Sequence, residues 1–453
     1  MSGPRETTGN DSWLLGWGLG YASVGAASLL VPLYAIDLGA GALLVSLVAA
    51  TAAFAGVPGA ILWGKLVATT NRRRPFVLVA LGLTAVVLLT MPFYTSPWAV
   101  LVANAALWFV VAAAAPVLNV IVVEGYEASR WSERFGLLNH YQGYGWLGGL
   151  VVGAVWSAAA GPVGVGPLAA KRLFFLAGGV AALAGLAVVY ARYPEKSTIS
   201  ERRFLRLAEQ FAGNGMLGRS VRAVPFGPQR VYWALRNLRR GSDGDGASGA
   251  GGLRGRFPAG LTRYLLAATV FFTGFAAFFG PLPAYLTEAG YSTDQVFGLF
   301  VASSAASAVS YARVGSLVAR RDPFRLQTGA LLSRAVAFPL VAFVGAALAP
   351  PVGLAVVGVL FFAIGVTWAV ISITATGLVS TLAPESVRGE ALGAYTALGS
   401  LGGGVGSILG GAVADGLGYG AAFGVAAACV VAAVGVAVAG RPGGTTTDPV
   451  AGD

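Results

Sequence analysis

The chain has 453 residues, of which 56% are hydrophobic and 11% charged, and its formal net charge is +11. Soluble domains carry about 25% charged residues, so this composition excludes a soluble or secreted protein. Nucleic acid is also excluded as the partner of the positive charge. The basic residues concentrate in a few loops between apolar runs, as they do on the cytoplasmic side of membrane proteins.

Twelve apolar runs follow the short polar N-terminus. Each is about 20 residues long, which lets a helix cross the ~30 Å hydrocarbon core of a bilayer, and helical hydrogen bonds satisfy the backbone groups that lipid cannot. The sequence therefore predicts an all-α integral membrane protein with 12 transmembrane helices. The predicted spans are 13–36, 42–66, 76–95, 98–122, 137–160, 172–192, 264–287, 293–317, 325–347, 352–377, 390–413 and 419–439.

The basic residues also predict the orientation of the spans. With a cytoplasmic N-terminus, the outer loops receive only Lys171 and Arg172. The opposite orientation would place nearly every arginine outside. An N-in/C-in arrangement is therefore predicted, in which the inner loops hold Lys65, Arg72, Arg73, Arg74, Arg130, Arg134, Arg320, Arg321, Arg325 and Arg388.

A long basic segment separates two predicted bundles. It contains two basic amphipathic stretches, of the kind that lie in the membrane interface and bind anionic lipid. A docking site for a regulator is the alternative. The predicted organisation is a cytoplasmic N-terminus (1–12), an N-terminal six-helix bundle (13–192), a cytoplasmic basic linker with amphipathic helices (193–263), a C-terminal six-helix bundle (264–439) and a disordered tail (440–453).

The two bundles share short motifs in the same order. Pro32-x-Tyr34-x-x-Asp37-x-Gly39 closes the first span, and Pro283-x-Tyr285-x-x-Glu288-x-Gly290 closes the seventh, 251 residues later. Because each unit holds six spans, an even number, both copies have the same orientation. Parallel repeats of this kind occur in secondary transporters. Further matches pair Gly64 with Gly315, and Gly149-x-x-x-Gly153 with Gly406-x-x-x-Gly410.

The loops around these motifs resemble those of the major facilitator superfamily. The segment GKLVATTNRRR, from Gly64 to Arg74, is similar to the family's glycine- and arginine-rich loop after span 2, and Gly315 to Arg325 is a looser second copy. The runs PLYAIDLGAG and PESVRGEALGAY are similar to drug-efflux-like members. The resemblance implies the major facilitator fold, with a cytoplasmic gate motif formed by Gly64, Arg72, Arg73, Arg74, Gly315, Arg320 and Arg321.

One departure bears on that gate. Ala68 and Ala319 stand where the family motif usually has an acid, which in the family helps to latch the two halves together on the cytoplasmic side. The resemblance therefore implies a gate built without the usual latch.

The resemblance further implies a secondary active transporter that moves a small organic solute across the cell membrane by alternating access, with efflux favoured over an uptake permease. A membrane sensor or scaffold, with the basic linker as its output, is the alternative. The sequence has no phosphate-binding loop and no His, Cys and acid grouping with metal-ligand spacing. We therefore predict no enzyme, cofactor or metal site. The expected partners of the monomer are the solute, membrane lipid, and H⁺ or Na⁺ for coupling.

Polar and aromatic side chains near the middle of the spans are the candidates for contact with the solute. Aromatic rings with a few hydrogen-bonding groups suit a moderately apolar organic molecule better than a sugar or an inorganic ion. Helix packing or anchoring at the membrane interface is the alternative for each residue. The candidates are Tyr21, Asn104, Asn119, Gln142, Tyr144, Trp146, Phe275, Ser303, Ser304, Thr367, Trp368 and Tyr395.

Four titratable or charged residues are candidates for coupling, because a charge inside a membrane is costly unless it is paired or hydrated. Asp37 and Glu288 are equivalent in the two halves, which favours bonding at helix ends over coupling. His140 can change charge near neutral pH, as a proton relay, or serve as a hydrogen-bonded polar residue. Arg334, near the middle of span 9, either binds an anion or pairs with a neighbouring helix.

Overall fold

The computed structural model describes residues 11–56, 73–123, 126, 130–193, 257–348 and 350–439. Regular structure in these ranges is helical throughout, and short 3-10 helices occur at Met91–Phe93 and Glu385–Val387. The α-helices of these ranges are α1 (Trp13–Asp37), α2 (Ala42–Phe54), α3 (Arg74–Thr90), α4 (Pro97–Val123), α5 (Trp131–Ala160), α6 (Pro167–Arg192), α7 (Ala259–Phe279), α8 (Leu282–Glu288), α9 (Thr293–Val318), α10 (Pro323–Ala347), α11 (Pro350–Leu382), α12 (Arg388–Leu417) and α13 (Tyr419–Val438).

Among the described residues, 10 helical segments are long and apolar enough to cross a membrane, and α7 with α8 forms one of them. The predicted class, an all-α protein with many membrane-crossing helices, is therefore confirmed. Helix α2 is a shorter apolar helix in the described part of the chain. Helix α5 has 30 residues and is long enough to cross a membrane, but it is not among the ten segments. Asn139, His140 and Gln142 make its first half too polar.

Three helices begin five or six residues before the positions predicted from hydropathy. Helix α5 begins at Trp131 rather than 137, α6 at Pro167 rather than 172, and α7 at Ala259 rather than 264. Each added turn carries a basic residue, which lowers the hydropathy without interrupting the helix. These residues are Arg134, Lys171 and Arg263.

The start of α7 lies inside the segment that was predicted as linker. Pro258 precedes the first helical residue, and both Phe257 and Leu261 are buried. The second bundle therefore begins before residue 264, with helix α7. The rest of the predicted linker (194–256), the tail (440–453) and the first ten residues lie outside the described part of the chain, as do Gly64, Ala68 and Arg72.

Each bundle is organised around its first helix. In the N-terminal half, α1 packs against α5 and α6, and α3 packs against α6. In the C-terminal half, α7 packs against α12 and α13, and α10 packs against α13. Glycines allow the backbones to meet. A Cβ atom added at Gly149 of α5 would overlap the carbonyl oxygen of Ala22 in α1, and one at Gly406 of α12 would overlap that of Thr273 in α7.

Equivalent tyrosines tie the end of the first helix in each half to a neighbour. The hydroxyl of Tyr34 donates to the carbonyl oxygen of Tyr94 at 2.8 Å, and that of Tyr285 donates to the carbonyl oxygen of Ala342 at 2.9 Å. Gly39 and Gly290 then end their helices with φ of +90° and +86°, a backbone conformation that favours glycine.

The two faces of the bundle differ in charge. We call the face where α1 begins the basic face; it holds Arg73, Arg134, Arg320, Arg321 and Arg388. The opposite face, where α1 ends, is the distal face; it holds Asp37, Lys171, Arg172, Glu288, Asp294 and Asp415.

The halves contact each other through α2 with α12 and through α5 with α9. At the distal end of α5, Gly153 lies against the ring of Phe297 on α9. At the distal end of α12, Gly411 lies against the side chain of Ser46 on α2. Both contacts place a glycine opposite a side chain, so each half approaches the other closely at the distal face.

Adjacent glycines of α5 provide a test of this packing. Gly149→Ala should destabilise the protein by about 1–3 kcal/mol, because the added methyl group has no room beside the backbone of α1. Gly148→Ala is the matched control, since nothing lies within 4 Å of a Cβ at that position. Thermal unfolding of the purified variants in detergent measures the difference, and equal melting temperatures for the two would contradict this account of the α1–α5 contact.

Candidate solute-binding site

A cavity of about 650 Å³ lies between the two halves, within the size range of small-molecule sites. Its wall is formed by α1, α2, α4 and α5 from the first half and by α7 to α12 from the second. On α5 the wall includes Gly136, Asn139 and His140, in the helical turns nearest the basic face. Asp and Glu are absent from the described residues that line the cavity.

Aromatic rings form much of the wall. Trp108 and Trp146 lie 6.3 Å apart between ring centroids in the first half, and Phe279 and Phe300 lie 6.4 Å apart in the second. Trp368 of α11 also lines the cavity. Serines from α9 and α12 supply hydroxyl groups between these rings. Such a surface suits an organic molecule with an apolar body and a few polar groups.

The structure brings half of the predicted solute contacts to the cavity wall. Asn104 also ties α4 to α2, because its amide donates to the carbonyl oxygen of Val48 at 3.0 Å and to the hydroxyl of Thr51 at 2.7 Å. His140 packs edge-on against Tyr144 with 4.3 Å between ring centroids. The predicted residues on the wall are Asn104, Tyr144, Trp146, Ser303, Ser304 and Trp368.

The other predicted contacts do not line the cavity, since the helices are rotated to point them elsewhere. Tyr21 is buried against Trp17 and Trp146, and Tyr395 lies against Phe272. Gln142 is buried on α5, which turns Asn139, His140 and Gly143 toward the cavity instead. The set off the wall is Tyr21, Asn119, Gln142, Phe275, Thr367 and Tyr395.

Arg334 is the cation at the centre of the site. Arg334 is 2% exposed and lines the cavity from α10. Its Nε donates to the hydroxyl of Thr367 at 3.1 Å, and Nη2 donates to the carbonyl oxygen of Ile364 at 2.8 Å. The guanidinium carbon lies 4.4 Å from the centroid of the Phe275 ring and 5.5 Å from that of Trp368. Thr367 and Phe275 therefore hold Arg334 in place.

The carboxylates predicted as coupling candidates lie away from the cavity, at the distal face. Lys171 donates to both oxygens of Asp37 at 2.8 Å and to the carbonyl oxygen of Leu33 at 3.3 Å. Glu288 accepts a hydrogen bond from the hydroxyl of Tyr419. Each carboxylate thus joins the end of the first helix in its half to the start of the last one.

At the basic face, the described gate residues have separate environments. Arg73 is buried, and Arg74 lies 4.5 Å from the Tyr190 ring and donates to the Tyr190 carbonyl oxygen. Gly315, Arg320 and Arg321 are exposed. Arg134, which was predicted in an inner loop, lies buried in the first turn of α5. It donates to Asp11 at 2.7 Å and to the carbonyl oxygen of Val122 at 2.9 Å.

Several wall residues were also missed: Trp108, Asn139, Phe279, Phe300, Ser307, Tyr311, Ser400 and Ser407. Helical spacing was an available signal for several of them. Trp108 follows Asn104 by four residues, Phe300 precedes Ser304 by four, and Ser307 follows Ser303 by four. Each therefore shares a helix face with a predicted contact that lies on the wall.

The Major Facilitator Superfamily profile matches residues 13–407. A point mutant of the nucleoside transporter NupG has a TM-score of 0.70 at 11% identity, over 95% of this chain and 99% of that chain. No curated protein sequence matches the chain.

Two further solved structures share the fold. A bacterial homologue of the human lysosomal transporter Spinster, inward-facing and unoccupied, has a TM-score of 0.62 at 13% identity, over 97% of this chain and 96% of that chain. The human organic anion transporter MFSD10 has a TM-score of 0.51 at 17% identity, over 96% of this chain and 100% of that chain. At these identities the likeness shows the fold. With the family match and the membrane-crossing helices, it establishes that this chain belongs to the Major Facilitator Superfamily and is a multi-pass cell membrane transporter, not an enzyme.

Proposed function

We propose that this transporter moves a small organic solute through the central cavity by alternating access, in the direction of efflux and without ATP. The observation that carries the proposal is the cavity itself, which has about 650 Å³ of space and walls from both halves of the chain. A site shared by two bundles changes its access when one bundle rocks against the other.

The proposed arrangement is twelve spans in two parallel repeats, with both termini in the cytoplasm. Equivalent helix contacts and equivalent tyrosine and glycine positions in the two halves support the repeat. The concentration of arginines at the basic face supports a cytoplasmic location for that face. We propose two bundles, one of residues 13–192 and one that runs from the start of α7 at Ala259 to residue 439, joined by a cytoplasmic linker.

Contacts between the halves support an inward-open state. Gly153 with Phe297 and Gly411 with Ser46 bring the halves together at the distal face, whereas the cavity wall extends to Gly136 near the basic face. Opening the distal face requires these glycine contacts to separate, together with the contact between the rings of Phe174 and Phe297. The exposed arginines at the basic face, without an acid at Ala319, leave the inner side without the family's usual latch.

We propose that the solute has an apolar part that can pack against aromatic rings. The wall offers Trp108, Trp146 and Trp368 together with serine hydroxyls. Of the solved relatives, NupG is a nucleoside transporter and MFSD10 is an organic anion transporter, and both kinds of solute are small organic molecules. Efflux rests on the resemblance to drug-efflux-like members. For coupling by H⁺, His140 is the candidate, since it lines the cavity.

Thiol labelling tests the inward-open cavity. Cys429 is the only cysteine, so Cys429→Ala provides a cysteine-free background for Ser304→Cys on the cavity wall. A charged, membrane-impermeant methanethiosulfonate should modify this thiol in inverted vesicles faster than in right-side-out vesicles, because the thiolate that reacts forms in water.

Val309→Cys is the control on the same helix, because Val309 is 60% exposed on the outside of the bundle and should face lipid. It should react slowly from either side. Faster modification of Ser304→Cys from the outside would contradict the proposed orientation or the proposed state.

Transport itself is tested in proteoliposomes loaded with benzoate, 3-phenylpropionate, indole-3-acetate or their neutral amides, in the absence of ATP. At least one compound should leave faster than from empty liposomes, with saturable kinetics. Ser304→Trp should abolish this flux, since the added ring projects into the cavity and takes space that the solute needs, while Val309→Trp should preserve it. Flux that requires ATP, or that survives Ser304→Trp unchanged, would sink the proposal.

A further inference from the structure

We propose that the solute carries an anionic group, of which a carboxylate is the best match, and that Arg334 binds this group directly in the cavity. The inference rests on the proposed transport function and specifies the class of its solute. It begins from a contrast between Arg334 and two other buried basic side chains, Lys171 and Arg134.

Two of the other buried cations have a carboxylate partner. Lys171 pairs with Asp37 at 2.8 Å, and Arg134 pairs with Asp11. Within the described part of the chain, Arg334 has no carboxylate at ion-pair distance, although it is more deeply buried than either. A buried charge without an opposite charge costs several kcal/mol or more, so its presence at the cavity wall calls for a ligand that supplies the missing charge.

The guanidinium keeps donors available for such a ligand. It has five N–H groups, of which Nε uses one for Thr367 and Nη2 uses one for Ile364. In the described residues Nη1 has no hydrogen-bond partner, and it is not among the buried polar atoms that are sealed from solvent. Nη1 and the second hydrogen of Nη2 together present the fork that binds the two oxygens of a carboxylate.

The protein also fixes the direction of this fork. Thr367 and Ile364 hold one edge of the guanidinium, while the Phe275 ring supports its face at 4.4 Å. Thr367 is itself fixed, because its hydroxyl donates to the carbonyl oxygen of Ile364 at 2.9 Å. The remaining edge can then meet a ligand without reorganisation of the side chain, which lowers the entropy cost of binding.

The cavity around Arg334 fits an organic anion better than an inorganic one. The Trp368 ring offers apolar area 5.5 Å from the guanidinium carbon, and Phe300 lies on the same cavity wall. The described wall contributes no acidic side chain that would repel a negative charge. The hydroxyl of Tyr311 and the serines of α9 lie on the same wall. We infer that the anionic group of the solute binds Arg334 while its apolar body lies against the aromatic rings.

Acid–amide pairs test this inference in purified protein held in phosphatidylcholine nanodiscs. The probes are benzoate, 3-phenylpropionate and indole-3-acetate, each compared with its neutral amide, which has nearly the same shape. At least one acid should raise the unfolding temperature, measured by tryptophan fluorescence, and its amide should not. Equal stabilisation by an acid and its amide, or no stabilisation by any acid, would overturn the inference.

Variants locate the effect. Arg334→Gln should abolish the stabilisation by the acid, Thr367→Val should weaken its affinity several-fold, and Arg313→Gln, an exposed arginine off the cavity wall, should leave it unchanged. If Arg334→Gln does not fold, competition in the wild-type protein decides: naphthalene-2-sulfonate should displace the acid, whereas naphthalene-2-sulfonamide should not. A response retained by folded Arg334→Gln would overturn the assignment.

A lipid phosphate could present similar chemistry, and the nanodiscs distinguish it from a free solute. Adding phosphatidylglycerol should leave the affinity for the acid unchanged, and competition by this lipid would assign Arg334 to a headgroup and overturn the inference. The inference and the proposed function can fail separately. ATP-independent flux of the neutral amides alone would leave the transport function in place and would overturn only the anionic solute.

Discussion

The close approach of backbones at glycines is the constraint on which the rest of this structure depends. Gly149 on α5 and Gly406 on α12 leave no room for a side chain against α1 and α7, respectively. Because lipid offers little hydrophobic drive for helices to associate, such close packing supplies much of the attraction. It fixes α5 and α12 firmly within their own bundles and determines which of their faces remain for the cavity and for the opposite half.

Contacts between the bundles are of a different kind. They place the rings of Phe297 and Phe54 and the short side chain of Ser46 against Gly153, Gly404 and Gly411. In these contacts a side chain lies against a helix surface that carries no side chain. The ion pairs found in the described residues join parts of the same half and do not link the two halves. Two internally rigid bundles with a smooth contact between them are what a rocking motion requires.

The charged residues likewise fall into two groups, those that stabilise one bundle and one that lies on the cavity wall. Asp37 with Lys171 and Glu288 with Tyr419 strengthen corners within a bundle, at positions that the repeat makes equivalent. Arg334 has no such counterpart partner among the described residues, and it lies on the cavity wall. Contacts within each bundle thus account for Asp37 and Glu288, which are equivalent in the two halves. Arg334 has no such contact with a carboxylate in the described residues, and its charge is available to a ligand.

The sequence allowed much of the fold to be predicted, because span length and basic loops follow directly from the properties of a bilayer. The motif from Pro32 to Gly39 and its second copy also predicted real helix ends. Helix rotation was not predictable. Phe275 and Thr367 were expected on the cavity wall but support Arg334 from behind, because a helix that is apolar on every side carries no signal of which face points inward.

Distances across the two faces, measured by pulsed electron paramagnetic resonance, test the central claim most directly. On the Cys429→Ala background, spin labels at Glu133 and Ser316 report on α5 and α9 at the basic face, and labels at Val163 and Asp294 report on the distal face. The account predicts that a solute which the reconstituted protein transports shortens the first distance and lengthens the second. Distances that both stay constant, or that change in the same direction, would contradict alternating access through this cavity.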